Sequence, residues 1–281
     1  MAMPLRAALH VHSTWSYDGQ WQLPRIASVF ATRGYNFLLM TEHDLGFSEE
    51  RRRAYSDACA NSSTDQLLII PGIEYSDPSN SVHTLVWGDI PFLGAGKETQ
   101  FVLERAAEHG GICVLAHPSR RAAWQIFRKE WARYLAGIEV WNRKTDGWSP
   151  SREAQKLILQ SGASPIVGLD FHSAKQLFPM AVCLNIDGGL NEGKALAALR
   201  LGSFSCEVFG IKLNRFTGGL GGSTTSVLEA GRRLAARTYR FAISSSKFVA
   251  RPLSQSLCNK NRLIPSHSAE DSAASRPGAK N

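Results

Sequence analysis

The chain has 281 residues, of which 43% are hydrophobic and 20% are charged. These proportions are typical of globular proteins and exclude disorder along the whole chain. A chain of this length forms either two average domains or one barrel of alternating strands and helices. The formal net charge of +8 comes from the last quarter, since residues 1–205 hold 20 basic and 20 acidic residues, whereas residues 206–281 hold 12 and 4. A basic chain end of this kind is more often solvated than bound to nucleic acid or a membrane surface.

Short apolar runs alternate with segments of helical periodicity over residues 5–205. The predicted strands are 5–11, 36–41, 67–71, 82–87, 111–116, 137–141, 165–169 and 180–186. The predicted helices are 24–33, 48–60, 97–109, 121–134, 150–161 and 191–200. This alternation predicts right-handed crossovers and a mainly parallel sheet. Because the strands are apolar without interruption, we expect both faces to be buried, as in a closed barrel wrapped by helices.

The pattern weakens after about residue 206. Glycines at 218, 219, 221 and 222 precede one basic amphipathic helix predicted over 223–241, and Ser, Pro, Asn and Lys dominate from about 253. We therefore expect a barrel domain over residues 1–205, a basic extension with one helix over 206–252 and a disordered tail over 253–281.

The five cysteines are widely spread and form no CxxC pair, which predicts reduced thiols. The sequence has neither a signal-like start nor a run of about 18 apolar residues. These observations predict a cytoplasmic protein with no membrane partner.

Histidines are concentrated at the ends of the predicted strands. In a parallel barrel, the C-terminal strand ends converge on one rim, where such barrels build their active sites. Four acidic residues, Asp18, Asp44, Glu74 and Asp170, are expected at the same rim. The histidines at or beside a strand end, six of the eight in the chain, are His10, His12, His43, His83, His117 and His172.

Two pairs of these residues have the same spacing, with one residue between the two members of each pair. Alternate residues of a strand point to the same side, so His10 and His12 deliver two imidazoles to one point, and Asp170 and His172 repeat the geometry later in the chain. Glu74 follows an apolar strand, where a buried carboxylate must meet cations or hydrogen-bond donors. The pattern predicts a metal site with Glu74 as a bridging ligand.

Taken jointly, these motifs resemble the polymerase and histidinol phosphatase (PHP) family of metallohydrolases. The likeness covers about residues 5–205 and includes HVHS at 10–13, SYDG at 16–19, TEHD at 41–44, GIE at 72–74, AHP at 116–118 and GLDFH at 168–172. It implies a distorted (β/α)7 TIM-like barrel with a trinuclear metal site at the C-terminal ends of the strands. Within the family, the chain looks closest to short stand-alone members, including the carbaryl-hydrolase branch.

The resemblance also implies which residues bind each metal ion. The first ion would take His10, His12, Glu74 and Asp170, the second Glu74, His83 and His117, and the third Asp18, His43 and His172. Glu42 departs from the family, which usually has Asp there, so we expect altered surroundings of His43 and no lost ion. Nitrogen and oxygen ligands without sulfur suit zinc, manganese or iron, and two to three such ions are expected.

Water that bridges two such ions is acidified from a pKa of about 15.7 to roughly 7, so hydrolysis by a metal-bound hydroxide is expected. The resemblance favours a phosphate ester or nucleotide, whose transferring group needs cationic clamps besides the metals. Arg120 and Lys144 are placed at the rim for this role, as are the neighbouring Arg121 and Arg143. Asp44 and Glu42 flank His43 and either relay protons or orient imidazoles, and the candidate catalytic residues are Asp44, Arg120 and Lys144.

Two alternatives stay open at this point. The same metals would also serve a carbamate, ester or amide hydrolase, and the basic C-terminal region leaves a non-catalytic nucleic-acid-binding module as a third class. Trp15 and Tyr17 either cover the pocket or have a structural role, and Trp124, Trp131 and Trp141 are predicted to lie in the core.

Overall fold

The computed structural model of the chain describes residues 4–220, so the helix predicted over 223–241 and the tail predicted over 253–281 lie outside the described residues. The strands are β1 (Leu5–Val11), β2 (Phe37–Met40), β3 (Glu42–His43), β4 (Leu68–Ile70), β5 (Gly72–Ser76), β6 (His83–Trp87), β7 (Ile112–Ala116), β8 (Leu135–Asn142), β9 (Pro165–Gly168), β10 (Met180–Leu184), β11 (Phe204–Val208) and β12 (Ile211–Lys212). The α-helices are α1 (Leu23–Ala31), α2 (Glu49–Ser62), α3 (Thr99–Glu108), α4 (Ala123–Ile126), α5 (Arg152–Ser161) and α6 (Glu192–Arg200).

The strands form two six-stranded sheets, in the orders β12-β11-β10-β1-β2-β4 and β3-β5-β6-β7-β8-β9. The predicted α/β class is therefore confirmed. Five strand pairs are parallel and five are antiparallel among the described residues, so the prediction of a mainly parallel sheet was wrong. The sheets do not join into one closed ladder, and the (β/α)7 TIM-like barrel implied by the resemblance is not confirmed.

The ladder is interrupted where two strands pass from the first sheet into the second. β2 is followed by Thr41 and then β3, and β4 is followed by Pro71 and then β5. Pro71 has no N–H group with which to continue the ladder, and Thr41 N donates instead to Val11 O at 2.9 Å. The chain segment β2–β3 thus supplies one strand to each sheet, and so does the segment β4–β5.

A second contact between the sheets lies just beyond β9. Leu169 N donates to Leu9 O at 2.9 Å and Phe171 N donates to His10 O at 3.0 Å, which ties the residues after β9 to β1. These bonds bring the end of β1 next to the end of β9, and with them the two segments that carry the HxH and DxH spacings.

Helix boundaries follow side-chain caps and apolar periodicity. Ser48, Ser151 and Asn191 accept hydrogen bonds from the backbone of the first turns of α2, α5 and α6, as N-cap residues do. α1 buries Leu23, Ile26, Ala27 and Phe30, which share one face at helical spacing. Among the described residues, no helix combines the length and apolar character needed to cross a membrane.

The helix predicted over 121–134 is broken into three pieces. α4 is flanked by 3-10 segments at Arg120–Ala122 and Lys129–Tyr134, and Phe127 takes an extended backbone between them. The break turns Trp131 into the core, where its ring meets that of Phe127. Trp124 stays 37% exposed, so the core prediction was wrong for Trp124 and correct for Trp131 and Trp141.

The first sheet continues past residue 205, where the barrel domain was expected to end. β11 pairs antiparallel with β10, and β12 pairs with β11. A Cβ atom on Gly218 would contact the side chain of Val140 in β8, so the chain still lies against the second sheet at residue 218. The expected boundary at 205 therefore falls within β11.

Candidate metal centre

The nine predicted ligands meet at one end of the two sheets. β1 carries His10 and leads into His12, β3 carries His43, β5 carries Glu74, and the segment after β9 carries Asp170 and His172. β6 runs antiparallel to its neighbours β5 and β7, so its first residue, His83, reaches the same rim as His117, which follows the last residue of β7. Asp18 lies on the loop after β1, and its side chain is the most exposed of the nine, at 35%.

Glu74 lies at the centre of the cluster. Its side chain is 1% exposed, and five imidazoles surround its two oxygens. The nitrogen–oxygen distances are 3.5 Å from His10 Nε2, 2.6 Å from His83 Nδ1 and 3.0 Å from His117 Nε2 to Oε1, and 3.4 Å from His12 Nε2 and 3.0 Å from His43 Nδ1 to Oε2. A carboxylate in this position is able to bridge two cations.

The donor atoms form overlapping groups of three. In each group, one nitrogen or oxygen atom of every residue lies within 4.8 Å of the others. The groups are His10, His12 and Glu74; His10, His117 and Asp170; Glu74, His83 and His117; and His12, His43 and His172. Asp18 joins the last group through its carboxylate, which lies 3.3 Å from His43 Nε2 and 3.1 Å from His172 Nε2. Such separations suit atoms that share an ion at bond lengths of about 2.0–2.2 Å.

Several of these atoms are buried and make no hydrogen bond. A buried polar atom without a partner costs about 1–3 kcal/mol, and a divalent ion would provide the missing partner. The donor set therefore fits divalent metal ions. The buried ligand atoms without a hydrogen bond are His10 Nε2, His12 Nε2, Asp18 Oδ1, His43 Nε2 and His117 Nδ1.

Electrostatics at the cluster favour bound cations. Burial alone would lower the pKa of His43, but the nearby carboxylates of Asp18 and Glu74 raise it to about 10. Burial alone would raise the pKa of Glu74, but the surrounding histidines, led by His83 and His10, hold it well below its ordinary value. Burial and the nearby His172 and His43 lower the pKa of His12, which keeps its imidazole neutral and able to bind metal.

Three predicted ligands have a left-handed backbone. The φ angle is 65° at His10, 25° at His117 and 48° at Asp170. Such conformations cost free energy for residues other than glycine and are concentrated at functional sites. The backbone is thus strained at residues whose side chains place donor atoms in the cluster.

Glu42 is fully buried but lies outside the ligand groups. Its Oε1 accepts hydrogen bonds from Ser13 N at 2.9 Å and Ser13 Oγ at 2.6 Å, and its Oε2 accepts one from Ser16 Oγ. Ser16 Oγ also accepts a bond from the backbone N–H of His43 at 3.0 Å. Burial raises the pKa of Glu42 to about 7, although these hydrogen bonds by themselves would lower it. Glu42 therefore holds the loop that carries Asp18 and supports His43.

The three candidate catalytic residues line a cleft of about 260 Å³ together with several of the ligands. Asp44 Oδ2 accepts hydrogen bonds from Ser76 N at 3.2 Å and Gly96 N at 3.0 Å. Arg120 donates to Asn80 O at 2.9 Å and lies 3.0 Å from His83 Nε2. Lys144 Nζ lies 3.3 Å from Asp170 Oδ1. The other two cations considered at the rim, Arg121 and Arg143, do not line this cleft.

Tyr17 and Trp15 occupy different environments. The ring of Tyr17 lines the cleft, is 73% exposed and stacks on His43 at a centroid distance of 5.0 Å. Trp15 packs against Tyr55 at 5.6 Å and belongs to the edge of the core. Of the two, Tyr17 is the aromatic residue at the mouth of the cleft.

Sequence reasoning missed Glu139, a buried carboxylate of β8 that accepts a hydrogen bond from His10 Nδ1 at 2.8 Å. The signal was present, because a charged residue between Ile138 and Val140 in an apolar strand needs a buried partner.

Comparisons with known proteins give a fold and no family. Neither a protein-family model nor a curated protein sequence matches the chain. A two-domain protein from Bacteroides vulgatus that contains a predicted PHP-like metal-dependent phosphoesterase is similar in structure, with 17% identity and a TM-score of 0.57, over 75% of this chain and 66% of that one. PsfC from Pseudomonas syringae is also similar, with 15% identity and a TM-score of 0.54, over 85% of this chain and 100% of that one. At these identities the likeness shows a shared fold, which here carries a cluster of buried imidazoles and carboxylates.

Proposed function

We propose that this protein is a metal-dependent phosphoesterase that hydrolyses a small phosphate ester or a nucleotide. The observation that carries the proposal is the charge of the cleft. Nine nitrogen and oxygen ligands include only three carboxylates, Asp18, Glu74 and Asp170, and Arg120 and Lys144 line the same cleft. The centre therefore suits an anionic substrate.

The size of the charge excess depends on the number of bound ions. Two or three dications together with Arg120 and Lys144 outweigh the three carboxylate ligands, and three dications still do so when Glu42, Asp44 and Glu139 are counted as ionised. A phosphate ester offsets this excess, whereas a neutral carbamate leaves it uncompensated. The balance therefore favours phosphate over the carbamate, ester or amide alternative.

Divalent ions bound here would acidify a coordinated water and polarise the phosphoryl oxygen. The side chains of the chain would orient the substrate around them. Arg120 is anchored by Asn80 through two of its nitrogens, at 2.9 and 3.3 Å, which fixes the guanidinium beside His83 for binding of phosphate oxygens. Lys144 adds a point charge beside Asp170 on the other side of the cleft.

Asp44 is the proposed proton relay. Two backbone N–H groups hold its Oδ2, which fixes the carboxylate at the cleft wall. Burial raises the pKa of Asp44, which favours transfer of a proton to a leaving group. Its position next to His43 keeps it close to the reacting groups.

The test compares phosphate and carbon substrates on one preparation. Purified protein is loaded with Mn²⁺ or Zn²⁺, its metal content is measured, and turnover of p-nitrophenyl phosphate, bis-p-nitrophenyl phosphate and an aryl carbamate is recorded. We expect two to three bound ions and hydrolysis of at least one phosphate ester, abolished by chelation. Turnover of the carbamate alone would contradict the proposal, as would full phosphatase activity without metal.

A further inference from the structure

Glu139 is a carboxylate with no exposed surface, located near the end of β8 beneath the metal centre. All three of its hydrogen-bond partners are donors. Its Oε1 accepts from His10 Nδ1 at 2.8 Å, and its Oε2 accepts from His117 N at 2.8 Å and from Asn142 Nδ2 at 2.9 Å. Only a group with two acceptor atoms satisfies all three partners at once.

The bond to His10 determines which ring nitrogen faces the cluster. With the proton on Nδ1 and donated to Glu139, the lone pair of the neutral ring lies on Nε2. Nε2 is the atom that lies 3.5 Å from Glu74 and 3.8 Å from Asp170, and it makes no hydrogen bond. Glu139 therefore selects the tautomer of His10 that is able to bind a metal ion.

The bond to His117 acts on the backbone. His117 and His10 both have positive φ angles, 25° and 65°. The two oxygens of Glu139 hold one of these residues by its backbone N–H group and the other by its ring. One carboxylate thus joins the ends of β1 and β7 where both are strained.

Gly168 provides the space that this carboxylate occupies. A Cβ atom at residue 168 would overlap Glu139 Oε1 and would lie 3.2 Å from the Cβ of His10. Gly168 has no positive φ, so its role here is close approach and not backbone conformation. The glycine that begins the GLDFH motif therefore leaves the space that a carboxylate on the neighbouring strand occupies.

We propose that Glu139 is a positioning residue that holds His10 and His117 in their metal-binding geometry, with Gly168 as its necessary complement. The inference rests on the metal-binding part of the proposed function and is independent of the substrate.

The test variant is Glu139→Gln. Its amide must direct an NH₂ group at a donor, either at His10 Nδ1–H or at the pair formed by His117 N–H and Asn142 Nδ2–H. Changes to groups that orient metal ligands typically cost about 10- to 100-fold in affinity, so we expect a loss of that size in Zn²⁺ affinity, measured by competition with a chromophoric chelator. We also expect ¹⁵N NMR of the histidines in metal-free protein to show a changed tautomer of His10.

Asp146→Asn is the matched control. Asp146 is a half-buried carboxylate close to β8, and it accepts hydrogen bonds from Ser119 Oγ and Asn142 N without a hydrogen bond to a ligand histidine. We expect wild-type Zn²⁺ affinity in this variant. Equal weakening of Zn²⁺ binding in the two variants would overturn the proposal, since any carboxylate close to β8 would then have the same effect.

Wild-type affinity and an unchanged His10 tautomer in Glu139→Gln would also overturn it. If Glu139→Gln does not fold, Glu139→Asp tests the same proposal, because it keeps both acceptor oxygens on a shorter side chain. Glu139→Asp is expected to bind Zn²⁺ more weakly than Asp146→Asn does, and equal affinity would refute the proposal. Wild-type protein that binds no Zn²⁺ would fail the proposed function instead, before any variant is compared.

Discussion

At the scale of single residues, Glu74 has the most partners in the candidate centre. Five imidazoles face its two oxygens, whereas each histidine ligand faces between one and three carboxylates. A change at Glu74 should therefore disturb more than one ion, and a change at an outer histidine such as His83 should disturb one.

Replacing Glu74 by Gln keeps the size of the side chain and removes the charge that offsets two dications. We expect two ions to be lost together and the rate to fall by more than the roughly 10- to 100-fold typical of residues that support metal ligands. His83→Ala should empty mainly one position and leave partial occupancy. The measurements are metal stoichiometry and rate for both variants. Wild-type stoichiometry and more than about a tenth of the rate in Glu74→Gln, where tenfold is ~1.4 kcal/mol, would disprove the bridging role.

Two adjacent arginines allow a matched test of the substrate clamp. Arg120 and Arg121 both donate to Asn80 O, at 2.9 and 3.2 Å, but only Arg120 lines the cleft. A hydrogen bond to a charged group is worth about 1.5–3 kcal/mol, so Arg120→Ala should lower kcat/KM for a phosphate ester by roughly 10- to 100-fold. Arg121→Ala should leave kcat/KM close to wild type. Equal effects would assign both residues to the loop and neither to the substrate.

Most of the candidate ligands could be recognised in the sequence because they stand at the ends of apolar strands, where His10 and His12 alternate and Glu74 follows a buried run, whereas Asp18 lies on a loop. Glu139 lies inside such a run, and two of its three partners, His10 in β1 and His117 just after β7, are far away in the sequence. Its need for a partner was visible, but the identity of that partner depends on the fold.

At the scale of secondary-structure elements, the indole of Trp87 supports the point at which the chain leaves the first sheet for the second. Trp87, the last residue of β6, donates from Nε1 to Met40 O at 2.7 Å, at the point where β2 ends. Gly72 begins β5 beneath the same ring, and a Cβ atom there would overlap Trp87 Cδ1. The Met40 carbonyl thus gains a buried partner at the end of its strand.

Trp87→Phe should remove this donor from the Met40 carbonyl. Loss of one partner of a buried hydrogen bond costs about 1–3 kcal/mol, so we expect the free energy of unfolding in urea to fall by that amount, with an unchanged m-value. Trp124→Phe is the control, since its half-exposed ring is expected to change stability by less than about 0.5 kcal/mol. An equal loss in both variants would mean that the Trp87 hydrogen bond adds nothing to the free energy of unfolding.

Elements were predictable where a cap or an apolar face marks them: α1 has a buried apolar face, α2 has the Ser48 cap, and α5 has both an apolar face and the Ser151 cap. The break at Phe127 could not be foreseen because residues 121–134 contain neither Pro nor Gly, and tertiary packing of Trp131 decides it. The antiparallel direction of β6 depends on the short connection 77–82 between β5 and β6, in which Asp77 N donates to Val82 O and Val82 N donates to Asp77 Oδ1.

At the scale of the whole molecule, the candidate centre couples metal binding to folding. Its ligands come from both sheets, with His10 in the first and Glu74 in the second. An ion bound between them connects the two sheets, and it binds the folded chain more tightly than the unfolded one. Stability should therefore depend on metal concentration.

Chelation should lower the Tm of the protein. A ligand at about 100 times its Kd adds roughly 2.7 kcal/mol to the free energy of unfolding, and at about 2–4 °C per kcal/mol for a chain of this size the shift is roughly 5–11 °C. Differential scanning calorimetry with EDTA, followed by addition of Zn²⁺, measures the shift and its reversal. Glu74→Gln should show a smaller response. A Tm that is indifferent to EDTA in protein known to contain metal would contradict the coupling.

The left-handed backbone at His10, His117 and Asp170 has a consequence for the protein in a living cell. Strain of about 1 kcal/mol at each of three residues is a sizeable part of a net stability of about 5–15 kcal/mol. Without ions, the metal–ligand bonds that would help to offset that strain are missing, so a larger fraction of molecules opens and meets proteases. We expect the lifetime of this protein in the presence of proteases to follow the supply of its metal, so that depletion removes the molecule as well as its activity.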